Sequence, residues 1–227
     1  MNFRREHLLL YAVTDRGWVG RQTLLEQIED ALRGGVTLVQ LREKELDRES
    51  FLREARQVKD LCRRYGVPLI INDNVDVALA CGADGVHVGM EDTPVAQLRR
   101  RVPAGFLIGA TAKTVVQAQA AEAAGADYLG VGAVFPSPTK RGARRITAEE
   151  LRTICRSVSI PAVAIGGITH ENLSQLRGGG MAGIAVISAL FGASDIAAAA
   201  KELKRAAAEL VTDSPRRQST QGRNVIP

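Results

Sequence analysis

Residues 124–131 read AGADYLGV. An alanine-rich run ends, a glycine follows, and a short apolar run begins. The same junction recurs as GGVTLVQ at 34–40, CGADGVHV at 81–88 and GGMAGIAV at 179–186. A glycine just past a helix takes the left-handed cap that lets the chain turn back. A short run that is apolar throughout, rather than at every second residue, suits a parallel strand covered on both faces. The repeated phrase is therefore a helix–glycine–strand joint, and it predicts a sheet wound with helices.

Working outward, strand-like runs fall at Leu8–Thr14, Thr37–Arg42, Pro68–Asp73, Gly85–Gly89, Leu107–Ala112, Tyr128–Gly132, Ala162–Gly167 and Gly183–Ser188. Between and after them lie segments rich in Ala, Leu, Glu, Gln and Arg, all good helix formers. They are Gln22–Arg33, Arg48–Tyr65, Val75–Ala80, Val95–Arg101, Val115–Ala124, Ala148–Ser157, Glu171–Arg177 and Ser194–Leu210. Eight strand–helix units predict an α/β protein, a single-domain (β/α)8 TIM barrel, somewhat under the typical ~250 residues. A doubly wound open sheet is the rival. It often carries G-x-G-x-x-G after its first strand, and the stretch here is TDRGWVGR at 14–21. The barrel domain is expected over residues 1–210. Residues 211–227 lack periodicity and are expected to form a disordered tail.

Composition narrows the class further. Of 227 residues, 45% are hydrophobic, too many for a disordered chain. No apolar stretch reaches the ~18 residues of a membrane helix, so no membrane partner is expected. The apolar run at Leu8–Val13 is too short for a secretory leader. Cys62, Cys81 and Cys155 are odd in number and widely spaced, which suggests free thiols in a reducing, cytoplasmic setting. The net charge is +5, but Arg216, Arg217 and Arg223 against Asp213 place part of it in the tail. Nine scattered aromatics do not make a stacking face for nucleic acid, and Arg99-Arg100-Arg101 reads as the solvated end of a helix. A small anionic substrate is the other use for positive charge.

A barrel of this kind does its chemistry at the C-terminal ends of its strands. There the second strand ends in VQLREK at 39–44, where alternation puts Gln40, Arg42 and Lys44 on one side. Two cations beside an amide suit phosphate oxygens. They equally suit a structural layer of ion pairs with Asp73 or Glu91. Asp73 and Asp92 follow neighbouring strands and could share a hard cation such as Mg2+ under a diphosphate. They could also simply balance the cations, or form a glycosidase pair. The loop in GVGAVFPSPTKRGARR at 130–145 carries Ser137, Thr139, Lys140, Arg141, Arg144 and Arg145, a composition that suits a phosphate-gripping lid or a solvated basic loop. AIGGIT at 164–169 and AVISALF at 185–191 follow the seventh and eighth strands, where many barrels bind phosphate through main-chain N–H groups. His87 lies within a strand and reads as a hydrogen-bonded core residue. No nucleophile–base pair stands out in the sequence.

YAVTDR, VQLREK, INDNVDVALACGADGVHVGMED, IGATAKT, GADYLGVGAVFPSPTK, PAVAIGGIT and GIAVIS occur in this order between about Leu10 and Leu190. As a set they resemble the thiamine-phosphate synthase family. The resemblance implies a transferase that joins hydroxymethylpyrimidine diphosphate to thiazole phosphate, or its carboxylated form, releasing diphosphate. It implies that Gln40, Arg42, Lys44 and Asn72 hold the pyrimidine diphosphate, and that Asp73 and Asp92 ligate Mg2+. Lys140 would grip the diphosphate. Ser137 and Thr139 would hold the thiazole phosphate with Gly167, Ile187 and Ser188. Thr111 stands where the family commonly has serine, near the diphosphate, and Ser137 where threonine is commoner. Lys140, Arg42 and Thr111 are the residues expected to act in catalysis. The implied mechanism is dissociative, and the family suggests a homodimer. Two alternatives remain. One is the thiazole tautomerase branch, which uses a histidine in a GHVF context where this chain has Ala133. The other is a non-catalytic phosphate-ligand sensor.

Overall fold

Leu10–Ala12 of the first strand pair in parallel with Ile184–Val186 of the last. That pairing closes an eight-stranded barrel in sequence order, β1-β2-β3-β4-β5-β6-β7-β8. The strands are β1 (Leu10–Val13), β2 (Leu38–Leu41), β3 (Leu69–Asn72), β4 (Gly85–Val88), β5 (Leu107–Ala112), β6 (Tyr128–Gly132), β7 (Ala162–Ile165) and β8 (Gly183–Val186). The computed structural model describes residues 3–20, 22–137 and 144–212.

Alternation along each strand sorts the core into two clusters. Leu8, Tyr11, Val13, Leu38, Ile70, Leu107, Tyr128, Val163, Ala182 and Ala185 fill the lumen. Their strand neighbours, such as Leu10, Val39, Ile71, Val86, Ile108, Leu129 and Ile184, pack outward under the helices. The strands are therefore apolar on both faces, which is why their sequences are continuous rather than alternating. Phe3 closes one end of the lumen, its ring centroid 6.0 Å from that of Tyr128.

The helices are α1 (Leu24–Arg33), α2 (Arg48–Arg64), α3 (Val75–Ala80), α4 (Val95–Arg101), α5 (Val115–Ala123), α6 (Ala148–Arg156), α7 (Ser188–Phe191) and α8 (Ile196–Thr212). Thr23, Asp47, Asn74, Thr114 and Thr147 each accept a backbone N–H at a helix start. Such caps satisfy the orphan donors of the first turn and fix where each loop over the barrel mouth ends. No described helix is long and apolar enough to cross a membrane.

Four expectations are corrected. The segment Glu171–Arg177 forms only a 3-10 turn, Leu173–Leu176. Asn172 bends back there, accepting from Thr169 N at 2.9 Å and donating to Gly167 O at 2.8 Å, and three glycines follow at 178–180. The eighth strand stops at Val186, and Ser188 opens α7 instead of ending the strand. The last helix is Ile196–Thr212 in place of the expected Ser194–Leu210, and residues 213–227 lie outside the described residues. Finally, Arg99 is not a solvated helix end. Its guanidinium donates to Phe106 O at 2.8 Å and Gly125 O at 2.7 Å and pairs with Asp127 at 2.5 Å. It ties α4 to the joint that precedes β6.

Cys62, Cys81 and Cys155 are in no disulfide; burial pushes the thiols of Cys62 and Cys155 up to about 12 and raises that of Cys81 as well. Thiols held protonated in this way are poor nucleophiles.

Gly109 on β5 has no room for a side chain, since a Cβ there would overlap the Tyr128 ring and lie 2.5 Å from His87 Nδ1. Gly109→Ala is expected to lower stability by ~1–3 kcal/mol, the usual cost of overpacking. Urea unfolding checks this, and an unchanged midpoint would contradict it.

Candidate active site

Each strand delivers its polar residues to the C-terminal mouth because its inward apolar residues have been used lower down. On β2, Leu38 packs in the lumen and Gln40, two residues on, is the buried polar group above it. Gln40 Nε2 donates to Tyr11 Oη at 2.5 Å. β2 ends at Leu41, one residue short of the expected strand, so Arg42 and Lys44 lie on the loop that follows it. Arg42 is anchored twice. Its backbone N–H donates to Thr14 Oγ1 at 2.9 Å, and its Nη1 pairs with Asp15 at 2.7 Å. Lys44 Nζ pairs with Asp73 at 2.7 Å. Of the two ion-pair partners the sequence suggested, Asp73 is therefore realised. Asp15, which the sequence reading did not assign, serves Arg42 instead.

Asp73 is the only described non-glycine residue with positive φ, at 60°. An aspartate adopts this region more readily than most residues. Its N–H donates to His87 O at 2.8 Å, which ties the end of β3 to β4. Its Oδ2 accepts from Asn72 Nδ2 at 2.5 Å as well as from Lys44. Asp92 Oδ2 accepts from Gly89 N at 2.7 Å and so closes the turn after β4. Among the described residues no group of three His, Cys, Asp or Glu side chains forms a metal-holding cluster.

The loop after β2 has an organiser that the sequence reading missed. Glu43 Oε1 accepts from the backbone N–H groups of Lys44, Glu45 and Leu46 at 2.8, 2.7 and 3.3 Å. Its Oε2 takes Arg16 Nε at 2.7 Å. Burial opposes ionisation of Glu43, but Arg16 and the loop amides outweigh it and hold the carboxyl below its ordinary range. A charged residue inside the quoted VQLREK was the available signal.

Thr111 on β5 is half-buried, with Oγ1 3.2 Å from His87 Nε2. His87 Nδ1 lies 3.2 Å from Tyr128 Oη, which in turn lies 2.8 Å from Tyr11 Oη. His87 is thus a hydrogen-bonded core histidine, as its mid-strand position suggested. Burial pulls its pKa down to about 4, while Asp92 opposes the shift. Burial also raises both tyrosines. All three groups are neutral near neutral pH.

The remaining expected residues lie on the loops after β6, β7 and β8. Gly167 has φ of 61°, and a Cβ there would overlap the Pro136 carbonyl. The backbone brought close by this glycine is therefore that of the β6 loop, a contact not expected from sequence. Phe135 N donates to Gly166 O at 2.9 Å and reinforces it. Ser137 continues that loop and is half-buried, and Ile187 and Ser188 form the start of α7. Arg144 pairs with Glu150 at 3.4 Å. Thr139, Lys140 and Arg141 lie outside the described residues.

A closed parallel barrel whose polar side chains gather at its C-terminal mouth has the architecture of the barrel enzymes. Residues 10–190 match the family model described as thiamine monophosphate synthase. Thiamine-phosphate synthase 2 of Streptococcus pneumoniae serotype 4 is 48% identical over 194 residues, covering 86% of this chain and 92% of that protein. Thiamine-phosphate synthase of Ruminiclostridium cellulolyticum is also 48% identical, with the same coverage of 86% and 92%. The solved thiamine phosphate pyrophosphorylase from Pyrococcus furiosus superposes with a TM-score of 0.85 at 40% identity, covering 91% of this chain and 98% of that one. The chain belongs to the thiamine monophosphate synthase family. It is a transferase of thiamine biosynthesis that condenses a phosphorylated pyrimidine with a phosphorylated thiazole.

The neutral His87 has a consequence for stability. Above its ordinary pKa of 6.5 it is uncharged folded and unfolded, and it contributes no pH dependence. Between 6.5 and about 4 the unfolded chain takes up a proton that the folded chain refuses, so stability falls with pH. The acid-side drop in thermal midpoint is expected to be shallower in His87→Gln. Equal slopes in the two proteins would show that His87 does not contribute.

Proposed function

We propose that the mouth residues divide the two substrates as follows. Gln40 and Asn72 hold the pyrimidine, and Arg42, Lys44 and Thr111 hold its diphosphate. Ser137, Gly167, Ile187 and Ser188 hold the thiazole phosphate. Thr139 and Lys140 are assigned, to the thiazole phosphate and the diphosphate respectively, on the sequence match alone. The observation that carries this division is the anchoring of Arg42 by Asp15 and of Lys44 by Asp73, each at 2.7 Å. An unpaired cation at a barrel mouth is costly, and a carboxylate partner keeps it in place until an anion arrives. Guanidinium has five N–H donors, and the Asp15 pairing takes one of them. The others suit a diphosphate in the forked geometry that favours arginine.

The donor set also fits a hard divalent cation. Asp73 and Asp92 supply carboxylate oxygens after neighbouring strands, and the hydrogen bonds described to each fall on Oδ2. Asp73 and Asp92 would hold Mg2+, together with diphosphate oxygens. When bound, the ion supplies positive charge to the diphosphate. The chain's own residues then do the rest. The bond between the pyrimidine methylene carbon and the diphosphate oxygen breaks, and the electron pair leaves with the diphosphate. Arg42, Lys44, Lys140 and the Thr111 hydroxyl stabilise the charge that develops on the leaving oxygen, the kind of contribution that is often the largest catalytic term. The thiazole nitrogen attacks the methylene cation, and no side chain has to remove a proton from carbon. Ala133, where the tautomerase branch has its histidine, fits this reading.

Purified protein supplied with both precursors and Mg2+ is expected to release diphosphate and form thiamine phosphate, and chelation is expected to stop turnover until Mg2+ is restored. Thiazole isomerisation, or binding without turnover, would replace this reading with the tautomerase or the sensor. Arg42→Ala is expected to lower kcat by a factor of about 100–1000 while circular dichroism and thermal midpoint stay close to those of the parent. Near-normal turnover in the folded variant would remove Arg42 from the leaving-group site. We propose also a homodimer in a reducing, cytoplasmic setting, which the family resemblance and three cysteines outside any disulfide support; a monomer mass by light scattering would rule out the dimer.

A further inference from the structure

Five side chains from five strands form one unbroken chain across the lumen. It runs from Gln40 on β2 through Tyr11 on β1, Tyr128 on β6 and His87 on β4 to Thr111 on β5, with steps of 2.5, 2.8, 3.2 and 3.2 Å. β1 and β6 are not neighbours, so the Tyr11–Tyr128 bond spans the interior. The missing side chain at Gly109 gives this chain its space.

Tyr11 and Tyr128 are buried, and among the described residues their hydroxyls make no bond outside this chain, so each hydroxyl proton must be used within it and the first link sets the others. An amide nitrogen donates and does not accept. Tyr11 receives from Gln40, and its own proton therefore goes to Tyr128. Tyr128 receives from Tyr11 and donates to His87 Nδ1. A neutral imidazole that accepts at Nδ1 carries its proton on Nε2. That N–H donates to Thr111 Oγ1, and the threonine proton cannot point back at His87. It is left for the mouth. Phosphate oxygens only accept, so the direction of this last proton decides whether Thr111 attracts a diphosphate or presents a lone pair to it.

We propose that Tyr11, Tyr128 and His87 are positioning residues that hold the Thr111 hydroxyl as an outward donor to the departing diphosphate, with the Gln40 amide setting the direction of the whole chain. The role at the diphosphate rests on the function given above; the polarity of the chain does not. A second consequence is that the two ends of the site are coupled. Turning the Gln40 amide over would reverse every donor and take the outward proton away from Thr111.

The polarity is tested on the ligand-free full-length protein labelled with 15N-histidine. Only His7, His87 and His170 contribute signals. His87 is expected to carry its single proton on Nε2, and a proton on Nδ1 or a charged ring at neutral pH overturns the proposal. The coupling is tested by diphosphate release. Thr111→Val and Tyr128→Phe are each expected to lower kcat by about 10- to 100-fold, the worth of one hydrogen bond to a charged group, with smaller changes in KM. The double variant is expected to be no worse than Thr111→Val, and losses that multiply overturn the coupling. If Tyr128→Phe does not fold, His87→Gln and His87→Leu serve instead. A glutamine can keep a donor toward Thr111 and should retain more kcat than leucine, and equal losses count against the proposal. If the parent protein releases no diphosphate, the functional reading fails while the histidine spectrum still decides the polarity.

Discussion

A parallel sheet with open ends leaves two rows of backbone groups to be satisfied, and the pairing of β1 with β8 removes both at once. Everything else in the molecule follows from that closure. It creates a lumen that water must leave, so one face of every strand is committed to side chains that pack against those of the other strands. It sends every strand in the same direction, so all eight βα connections begin at one mouth. Polar residues at the strand ends have nowhere to converge except there. The helices complete the arrangement from outside, with α1 and α8 packing beside one another.

Within that frame the lumen holds an unusual mixture. Tyr11, Tyr128 and His87 are large and polar, and they sit in an interior otherwise lined by Leu, Ile, Val and Ala. Burying such groups is costly unless each hydrogen bond is made. They pair with one another and with residues at the mouth, so the interior polar chain and the site above it are a single structure. The ion pairs Arg42–Asp15 and Lys44–Asp73 show the same economy at the rim, where a carboxylate from an adjacent strand end holds each cation. Glu43 does comparable work on the backbone, gathering three successive amides into one carboxylate. The enzyme's rim is thus organised before any substrate enters, the condition under which electrostatic stabilisation is most effective.

The sequence by itself determined the barrel, because continuous apolar runs of strand length recur eight times, with good helix formers between them and glycine joints before several, and their order leaves one simple closure. It also singled out Gln40, Arg42 and Lys44 as candidates from the spelling of one segment, although β2 ends at Leu41 and the last two lie beyond it. It offered Asp73 as one ion-pair partner but not Asp15, which holds Arg42. Asp15 had no assigned role and Arg99 looked like part of a solvated run, and each proved to be half of an ion pair whose partner lies 27 or 28 positions away in the chain. The tertiary structure alone decided that Gly167 makes room for Pro136, that the segment after β7 makes only a single 3-10 turn, and that Tyr11 meets Tyr128 across the lumen. The physical reason is distance along the chain. Periodicity is local and can be read from neighbours. A hydrogen bond across a barrel joins strands at opposite sides of it, and no local pattern carries that information until the sheet has closed.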